Sequence, residues 1–200
     1  MCPKYFLKRI GVENVDVARC YAYLATVQRR LGDLQQAKEY YERSLSVLLK
    51  MNLGPDNNDV AYTHRNLGSV QRDLGDNQQP KKHLERALSI YQKRLGNDHV
   101  DVGSTFRDLG VLHCTMGNLE QAKEYHEGAL SILLKKLGPE HDEVARAYQC
   151  LGVVHCDLGN HQQAKENYEC ALSIFLKKLG PDHDDSVRTY STLRHCSNAR

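Results

Sequence analysis

Histidine and cysteine are the residue types in this sequence that most directly suggest chemistry, because together they bind zinc. Zinc needs about four ligands that converge within roughly 2.0–2.3 Å of one point. Two of the His-Cys pairs lie 42 residues apart, in different copies of a repeat described below, and no cysteines form Cys-x-x-Cys. The candidates are His113-Cys114, His155-Cys156, His195-Cys196 and Cys150. We therefore predict buried thiols and histidines used in helix packing, with no metal and no cofactor.

Three short motifs of enzymes and ion-binding loops begin in this sequence and then break. His126-Glu127 could open a metalloprotease helix, but Leu130 stands where the second zinc ligand belongs. Residues 182–184 start like an EF-hand loop, but Val187 takes the position of the required glycine. No glycine-rich stretch leads into Gly-Lys-Ser/Thr, as a phosphate-binding loop requires. We therefore predict that the chain is not an enzyme.

Composition and charge describe a folded protein with no overall bias towards nucleic acid or anionic membranes. Hydrophobic residues make up 40% of the chain and charged residues 26%, and the formal net charge is +2. An odd number of cysteines, 7 in all, predicts reduced thiols and not a disulfide framework. No run approaches the roughly 18 apolar residues of a membrane helix, and the first residues lack the apolar core of a signal peptide. A cytoplasmic location follows as the expectation.

The residues that would position any site belong to a sequence that repeats at a fixed period. Leu-Gly recurs at 95–96, 137–138 and 179–180, in steps of 42 residues. A second glycine recurs at Gly75, Gly117 and Gly159 with the same step, and Gly32 lies one residue further out. A period of this length is typical of a solenoid, in which each unit contacts mainly its neighbours.

Each copy of the repeat predicts two amphipathic helices. In the fourth copy Val144, Tyr148, Leu151 and Val154 recur at spacings of three and four, which places them on one apolar face. Leu-Gly-Pro ends a second helix, because glycine takes left-handed backbone and proline has no amide donor. The predicted helices are 16–31, 34–52, 59–74, 77–95, 100–116, 119–137, 142–158, 161–179 and 184–196, and the predicted N-caps of the second helices are Asp33, Asp76, Asn118 and Asn160.

Side chains at fixed positions of each copy resemble the tetratricopeptide repeat. The pattern is aromatic-x-x-Leu-Gly, then Ala-x-x-x-Tyr, then Ala, in which small residues let two helices approach while large ones fill the gap. In the fourth copy these residues are Tyr148, Leu151, Gly152, Ala164, Tyr168 and Ala171, and in the third Phe106, Leu109, Gly110, Ala122, His126 and Ala129. The usual period is about 34. The longer period and the Leu-Gly-Pro seam are similar to the kinesin light chain and nephrocystin-3 type.

The resemblance implies an all-α fold, a right-handed superhelical solenoid of antiparallel helix pairs. About four full repeats are expected, at 16–57, 58–99, 100–141 and 142–183. Residues 1–15 would be the end of a preceding second helix, and residues 184–200 a truncated first helix of a fifth repeat. Neither end has a polar capping helix, which indicates a fragment of a longer array or ends that associate with another molecule. A naturally short protein with frayed ends is the alternative.

In the resembled family the first helix of each pair lines a concave groove that binds peptides. Matching positions of this chain carry arginine, whose planar guanidinium suits carboxylates: Arg19, Arg29, Arg65, Arg72, Arg107, Arg146 and Arg188. The resemblance therefore implies an adaptor for a protein or linear peptide, expected to be acidic, and neither nucleic acid nor membrane insertion. The alternative is a solvated face with ion pairs inside each helix, since Asp73, Asp108 and Asp157 lie on the same helices.

Two further functions remain open at this point. The array could be a structural spacer or a module that self-associates end to end. It could also be the sensor part of a larger signalling protein.

Overall fold

The computed structural model describes residues 14–51, 56–76 and 78–198, with the side chains of 196–198 excepted. In these ranges every regular element is an α-helix, which confirms the predicted all-α class. The helices are α1 Val15–Arg30, α2 Leu34–Lys50, α3 Asn58–Asp73, α4 Gln79–Leu95, α5 Val100–Thr115, α6 Leu119–Leu137, α7 Asp142–Asp157, α8 His161–Leu179 and α9 Asp184–Asn198. The second-helix end predicted in residues 1–15 lies almost wholly outside the described residues.

The described helices fall into two compact units, of which the first ends at Asn97 and the second begins at Asp98. Unit 1 contains α1 to α4 and unit 2 contains α5 to α9. In each unit successive helices pack as pairs, and each second helix also contacts the next first helix of its unit. None of the described helices is long and apolar enough to cross a membrane.

The core of unit 1 forms where α2 is covered by first helices on both sides. Tyr41 of α2 is completely buried, and its hydroxyl lies 2.9 Å from Oγ1 of Thr26. Its neighbours in this cluster are Ala22 and Ala25 of α1, Ala37 of α2, and Leu67 and Val70 of α3. A buried tyrosine with a satisfied hydroxyl supplies a large apolar contact at no polar cost.

Unit 2 repeats this packing with different side chains. Leu133 of α6 meets Val144 and Ala147 of α7, and Phe175 of α8 packs against Ala145 and Ala171. The alternating first and second helices therefore share one continuous layer of apolar side chains in this unit.

The glycine of the Leu-Gly motif inside the first helices is required by a close approach of two helices. A Cβ atom at Gly152 would lie 2.7 Å from Cε1 of Tyr168, and one at Gly110 would lie 2.5 Å from Cε1 of His126. Side chains at those distances would overlap the ring. The small-residue rule of the repeat therefore has a steric cause in unit 2.

The predicted helix ends are correct to within about two residues. Gly138 and Gly180 end α6 and α8 with φ of 80° and 85°, so the Leu-Gly stop is confirmed. Helix α4 starts at Gln79 and not at residue 77, because Asp76 accepts the backbone N–H groups of Gln78 and Gln79 at 3.0 and 3.2 Å. Pro80 follows within the first turn, where it is tolerated.

Three of the four predicted N-caps are the N-cap residues of their helices: Asp33, Asn118 and Asn160. Asp33 accepts the N–H of Gln36 at 3.0 Å, whereas Asn118 and Asn160 make no side-chain capping bond. The prediction for Asp76 is wrong, because the N-cap of α4 is Gln78 and Asp76 belongs to the turn before it. The first helices have side-chain caps that the sequence analysis did not name: Asn14, Asn57, His99, His141 and His183.

The cysteines differ from the prediction at one position. Cys20, Cys114, Cys150 and Cys170 are free thiols, as expected. Cys156 is disulfide-bonded, so the prediction of reduced thiols throughout is wrong there. An odd count of cysteines leaves at least one thiol unpaired, but it does not prevent a single disulfide.

Candidate peptide-binding surfaces

In unit 1 the first helices α1 and α3 place one row of side chains each on a common face. Residues spaced by three, four and seven positions fall on one side of a helix. The hydroxyls of Thr26 on α1 and Tyr62 on α3 lie 3.4 Å apart, so the two rows are adjacent. We call this face surface 1: Arg19, Thr26 and Arg29 of α1 with Tyr62, Arg65 and Arg72 of α3.

Arg19 joins the starts of α1 and α3 through a bidentate ion pair. Its Nε and Nη2 atoms donate to Oδ1 and Oδ2 of Asp59 at 3.1 and 2.9 Å. The hydrogen bond and the charge of Asp59 raise the pKa of Arg19. Its side chain nevertheless stays 51% exposed, so a ligand could reach the guanidinium without unfolding the helix pair.

At the far ends of the same helices, two arginines share one carboxylate. Nη2 of Arg29 donates to Oδ2 of Asp73 at 2.9 Å. Arg72 donates to Oδ1 of Asp73 through Nε and Nη2 at 3.2 and 2.8 Å. Its Nη1 is buried without a hydrogen-bond partner, and only 10% of its side chain is exposed. This cluster of Arg29, Arg72 and Asp73 therefore carries one positive charge in excess.

The charge of this cluster acts on the buried Tyr41. Burial raises the pKa of Tyr41, and the charges of Arg29 and Arg65 oppose the rise. Arg65 itself is half-buried on α3, between the two ends of surface 1.

Unit 2 presents the corresponding face on α5, α7 and α9. We call it surface 2: Arg107 and Val111 of α5, Arg146, Gln149 and Val153 of α7, and Arg188 of α9. The amide of Gln149 donates to Thr189 at 3.0 Å, which ties α7 to α9.

Arg107 is the most buried arginine of surface 2 and is held by carboxylates. Its side chain is 17% exposed, and it bonds Glu143 of α7 and lies 3.8 Å from Asp108. Burial alone would lower the pKa of Arg107, but the charges of Asp108 and Glu143 outweigh it and raise that pKa. Burial likewise favours a raised pKa for Glu143, yet Arg107 holds it below its ordinary value.

Arg146 and Arg188 are paired in the same way. Arg146 donates to Glu143 at 2.8 Å and to Asp185 of α9 at 3.4 Å. Arg188 donates to Asp185 at 2.7 Å and to the Gln149 carbonyl at 3.4 Å. The guanidinium groups of surface 2 are therefore matched by carboxylates, in contrast to the excess charge at Asp73.

The sequence analysis missed the carboxylates that accept these arginines. These acceptors are Asp59, Glu143 and Asp185, which lie near the start of first helices and follow the 42-residue period of the chain. The alternative interpretation placed ion pairs inside each helix. Such pairs occur, but Arg19, Arg107 and Arg146 also bond the next first helix of their unit. The periodicity was visible in the sequence, and it is the signal that could have identified these pairs.

A second set of repeated ion pairs joins the loop before a first helix to the end of the second helix that follows it. Lys93 pairs with Asp56, Lys135 with Asp98, and Lys177 with Glu140. All three lysines are exposed, so water and salt screen these pairs and each contributes little to stability. These pairs hold the loops before the first helices in place and are not part of surface 1 or surface 2.

Comparison with known proteins decides the family. A sequence model described as Tetratricopeptide repeat matches residues 16–93, 59–135 and 143–193. The chain belongs to the tetratricopeptide repeat family. Arrays of this repeat generally serve as scaffolds for protein interactions, and the fold is typically non-catalytic. A search of curated proteins finds no match.

Solved tetratricopeptide structures share the fold of this chain. BtubC from P. vanneervenii is 23% identical with a TM-score of 0.74, over 88% of this chain and 70% of its own. A kinesin light chain-like protein with nearly identical TPR-like repeats from Podosopora anserina is 22% identical with a TM-score of 0.73, over 92% of this chain and 87% of its own. The neighbours are thus of the kinesin light chain-like type, and the likeness at these identities concerns the fold.

Proposed function

We propose that this tetratricopeptide array is an adaptor that binds an acidic linear peptide, with surface 1 as the principal contact. The observation that carries the proposal is the excess positive charge of the Arg29–Asp73–Arg72 cluster. A carboxylate of the ligand would supply the second anion for two guanidinium groups. Arg29 is 34% exposed and is the donor that a ligand reaches first.

The arginines of surface 2 have a different part in this proposal. Glu143 and Asp185 already bind Arg107, Arg146 and Arg188, so a ligand carboxylate there would compete with carboxylates held in place. We therefore assign these three residues to positioning the first helices. Because the groove is already ordered before binding, most of the conformational entropy lost on binding is lost by the peptide.

The test is a peptide-display selection against the purified chain, with the selected peptides measured again at several salt concentrations. We expect acidic sequences whose affinity falls with salt, since the screening length shrinks from about 10 Å at 0.1 M to about 3 Å at 1 M. Arg29→Gln should weaken binding by roughly tenfold, while it leaves the Arg72–Asp73 pair intact.

Arg188→Gln is the matched control, because Arg188 is 64% exposed and bonded to Asp185. It should leave the affinity close to that of the unaltered chain. Apolar peptides with a flat salt dependence would contradict the acidic ligand and keep the adaptor. Equal affinity of Arg29→Gln and Arg188→Gln would contradict the assignment to surface 1.

A structural role in self-association is the second candidate, favoured by an exposed apolar stripe along α1 and its C-cap residue Leu31. Tyr23, Val27 and Leu31 lie four residues apart and are 65%, 52% and 74% exposed. A spacer that associates through this stripe would form larger species as concentration rises, and Val27→Glu would abolish them. Sedimentation of both chains over a hundredfold concentration range distinguishes this role from the adaptor.

The remaining parts of the proposal concern location and class. We propose a cytoplasmic, non-enzymatic protein without nucleic-acid ligands. Membership in a larger signalling protein, and the nephrocystin-like branch of the family, stay predictions.

A further inference from the structure

Two histidines replace an aromatic contact between the helices of one repeat in unit 1. His64 on α3 and His83 on α4 bring their Nδ1 atoms to 2.7 Å, with ring centroids 5.0 Å apart. In unit 2 the residues 42 positions later are Phe106 and Tyr125, whose rings meet edge to face at 5.8 Å. The helix pair therefore packs without histidine, and this histidine pair is not a requirement of the fold.

The short distance between the two nitrogens fixes their protonation. One Nδ1 must donate its proton and the other must accept with its lone pair. Burial, followed by the charges of His83 and Arg86, lowers the pKa of His64 to about 4. Burial also lowers the pKa of His83. Two neutral imidazoles thus face each other at neutral pH, and neutral imidazole is the form that binds metal ions.

We propose that His64 and His83 form a site for one divalent late transition metal of the Ni²⁺ or Cu²⁺ class, bound through both Nδ1 atoms in adjacent coordination positions. With metal–nitrogen distances of about 2.0–2.1 Å and an angle of about 90°, the nitrogens lie about 2.9 Å apart. That is close to the observed 2.7 Å. Tetrahedral zinc would need about 3.3 Å.

Binding requires a small rearrangement that conserves charge and protons. The imidazole that donates its Nδ1 proton transfers that proton through solvent to its own Nε2 atom. The metal then binds the lone pairs of both Nδ1 atoms. Each ring turns so that its lone pair points at the ion and not at the opposite nitrogen. Both residues are half-buried, so part of each side chain remains in contact with water.

Two charged groups act on the pair from nearby elements. Asp76, which precedes α4, partly opposes the lowering of the His83 pKa by burial, and its negative charge attracts a cation. Arg86 of α4 adds to the lowering of the His64 pKa, and its positive charge repels a cation. Within the described residues no group of three or more His, Cys, Asp or Glu side chains could hold a metal. Water therefore fills the other positions, and we expect binding weaker than at a structural zinc site.

The experiment is a calorimetric titration of the full chain with NiCl₂ at pH 7.5, after treatment with a chelator. Ni²⁺ is preferred as the probe because Cu²⁺ would oxidise the exposed thiols of Cys20 and Cys170. The matched control is H64F/H83Y, which copies the Phe106–Tyr125 pair of unit 2. We expect one site in the unaltered chain and a loss of affinity of at least about tenfold in the control. The chain has 10 histidines, and the control measures the background from the others.

A second measurement does not depend on any variant. Ni²⁺ is paramagnetic, so substoichiometric NiCl₂ should broaden the ring-proton resonances of His64 and His83 before those of other histidines. Earlier broadening elsewhere, or equal titration of the unaltered chain and H64F/H83Y, would overturn the proposal. Tighter binding of Zn²⁺ than of Ni²⁺ would also overturn it, because that order contradicts adjacent coordination at this nitrogen separation.

Discussion

Surfaces 1 and 2 carry arginine at related positions of the same repeat, yet the two surfaces differ in how the charge is balanced. In unit 1 Arg29 and Arg72 share the carboxylate of Asp73, and Arg19 lies half in solvent. In unit 2 Arg107 is buried against Glu143, which also holds Arg146. A guanidinium on a first helix therefore supports either ligand binding or helix docking. Arg29 and Arg72 share one repeat position, which is cysteine in unit 2 (Cys114 and Cys156), so the charge excess depends on the residue type at that position.

The same contrast extends to the aromatic position between the helices of a repeat. Tyr21 and Tyr40 stack in the first repeat, with ring centroids 6.1 Å apart, whereas His64 and His83 share a proton in the second. The repeat tolerates this exchange because planar rings of similar size fill the same gap. Positions that the family pattern defines by size alone are thus open to new chemistry.

The largest expected effect tests whether Arg107 is a structural residue. Arg107→Ala leaves Glu143 half-buried beside fewer positive groups, and breaking a buried ion pair typically costs about 3–5 kcal/mol. Because Arg107 keeps 17% exposure, we expect about 3 kcal/mol of lost unfolding free energy in urea denaturation. Arg188→Ala, at an exposed pair, should cost below about 1 kcal/mol. A loss below 1 kcal/mol for Arg107→Ala would remove the contrast between the two surfaces.

The second prediction concerns pH and the buried His126 of unit 2. Burial, followed by the charge of Arg107, lowers the pKa of His126 to about 4, whereas an unfolded histidine has a pKa of about 6.5. The unfolded state therefore takes up the proton first, so stability is complete above pH 6.5 and is lost as pH falls towards 4. Between pH 7 and pH 5 the loss should be about 2 kcal/mol.

His126→Tyr is the informative variant, because Tyr41 and Tyr168 occupy the equivalent positions of other repeats. Urea denaturation at pH 7 and pH 5 should show a smaller difference for the variant than for the unaltered chain. His64 contributes a loss of the same sign in unit 1, so H64F/H83Y reports on that unit separately. An unchanged pH dependence in His126→Tyr would mean that other groups dominate the acid sensitivity.

The helix pairs could be predicted from the sequence because glycine positions and apolar spacings repeat along the chain. The consequences of individual pairings could not. Arg72 and Arg107 have the same local sequence context, since both are arginines on first helices followed by aspartate. Their difference depends on where Asp73, Asp108 and Glu143 direct their carboxylates in three dimensions. Likewise His64 is separated from His83 by 19 positions, and only the folded helix pair brings the two nitrogens together.

The smallest expected effect compares the caps of first and second helices. Nδ1 of His141 accepts the N–H of Glu143 at 3.1 Å, the role that Asn57 has for α3 in unit 1. His141→Ala removes this acceptor and should cost about 1 kcal/mol, whereas His141→Asn should retain the stability because it copies the cap of unit 1. Asn160→Ala is the matched control at the start of α8, where the side chain makes no capping bond.

Urea denaturation of these three variants separates a capping role from a general effect of truncating a polar residue. We expect a loss for His141→Ala alone, because the seam histidine acts through one hydrogen bond at the helix start. Equal losses for His141→Ala and Asn160→Ala would mean that the seam histidine contributes through packing. In that case Asn57 and His141 would not be interchangeable as N-caps, and the first helices of the two units would start in different ways.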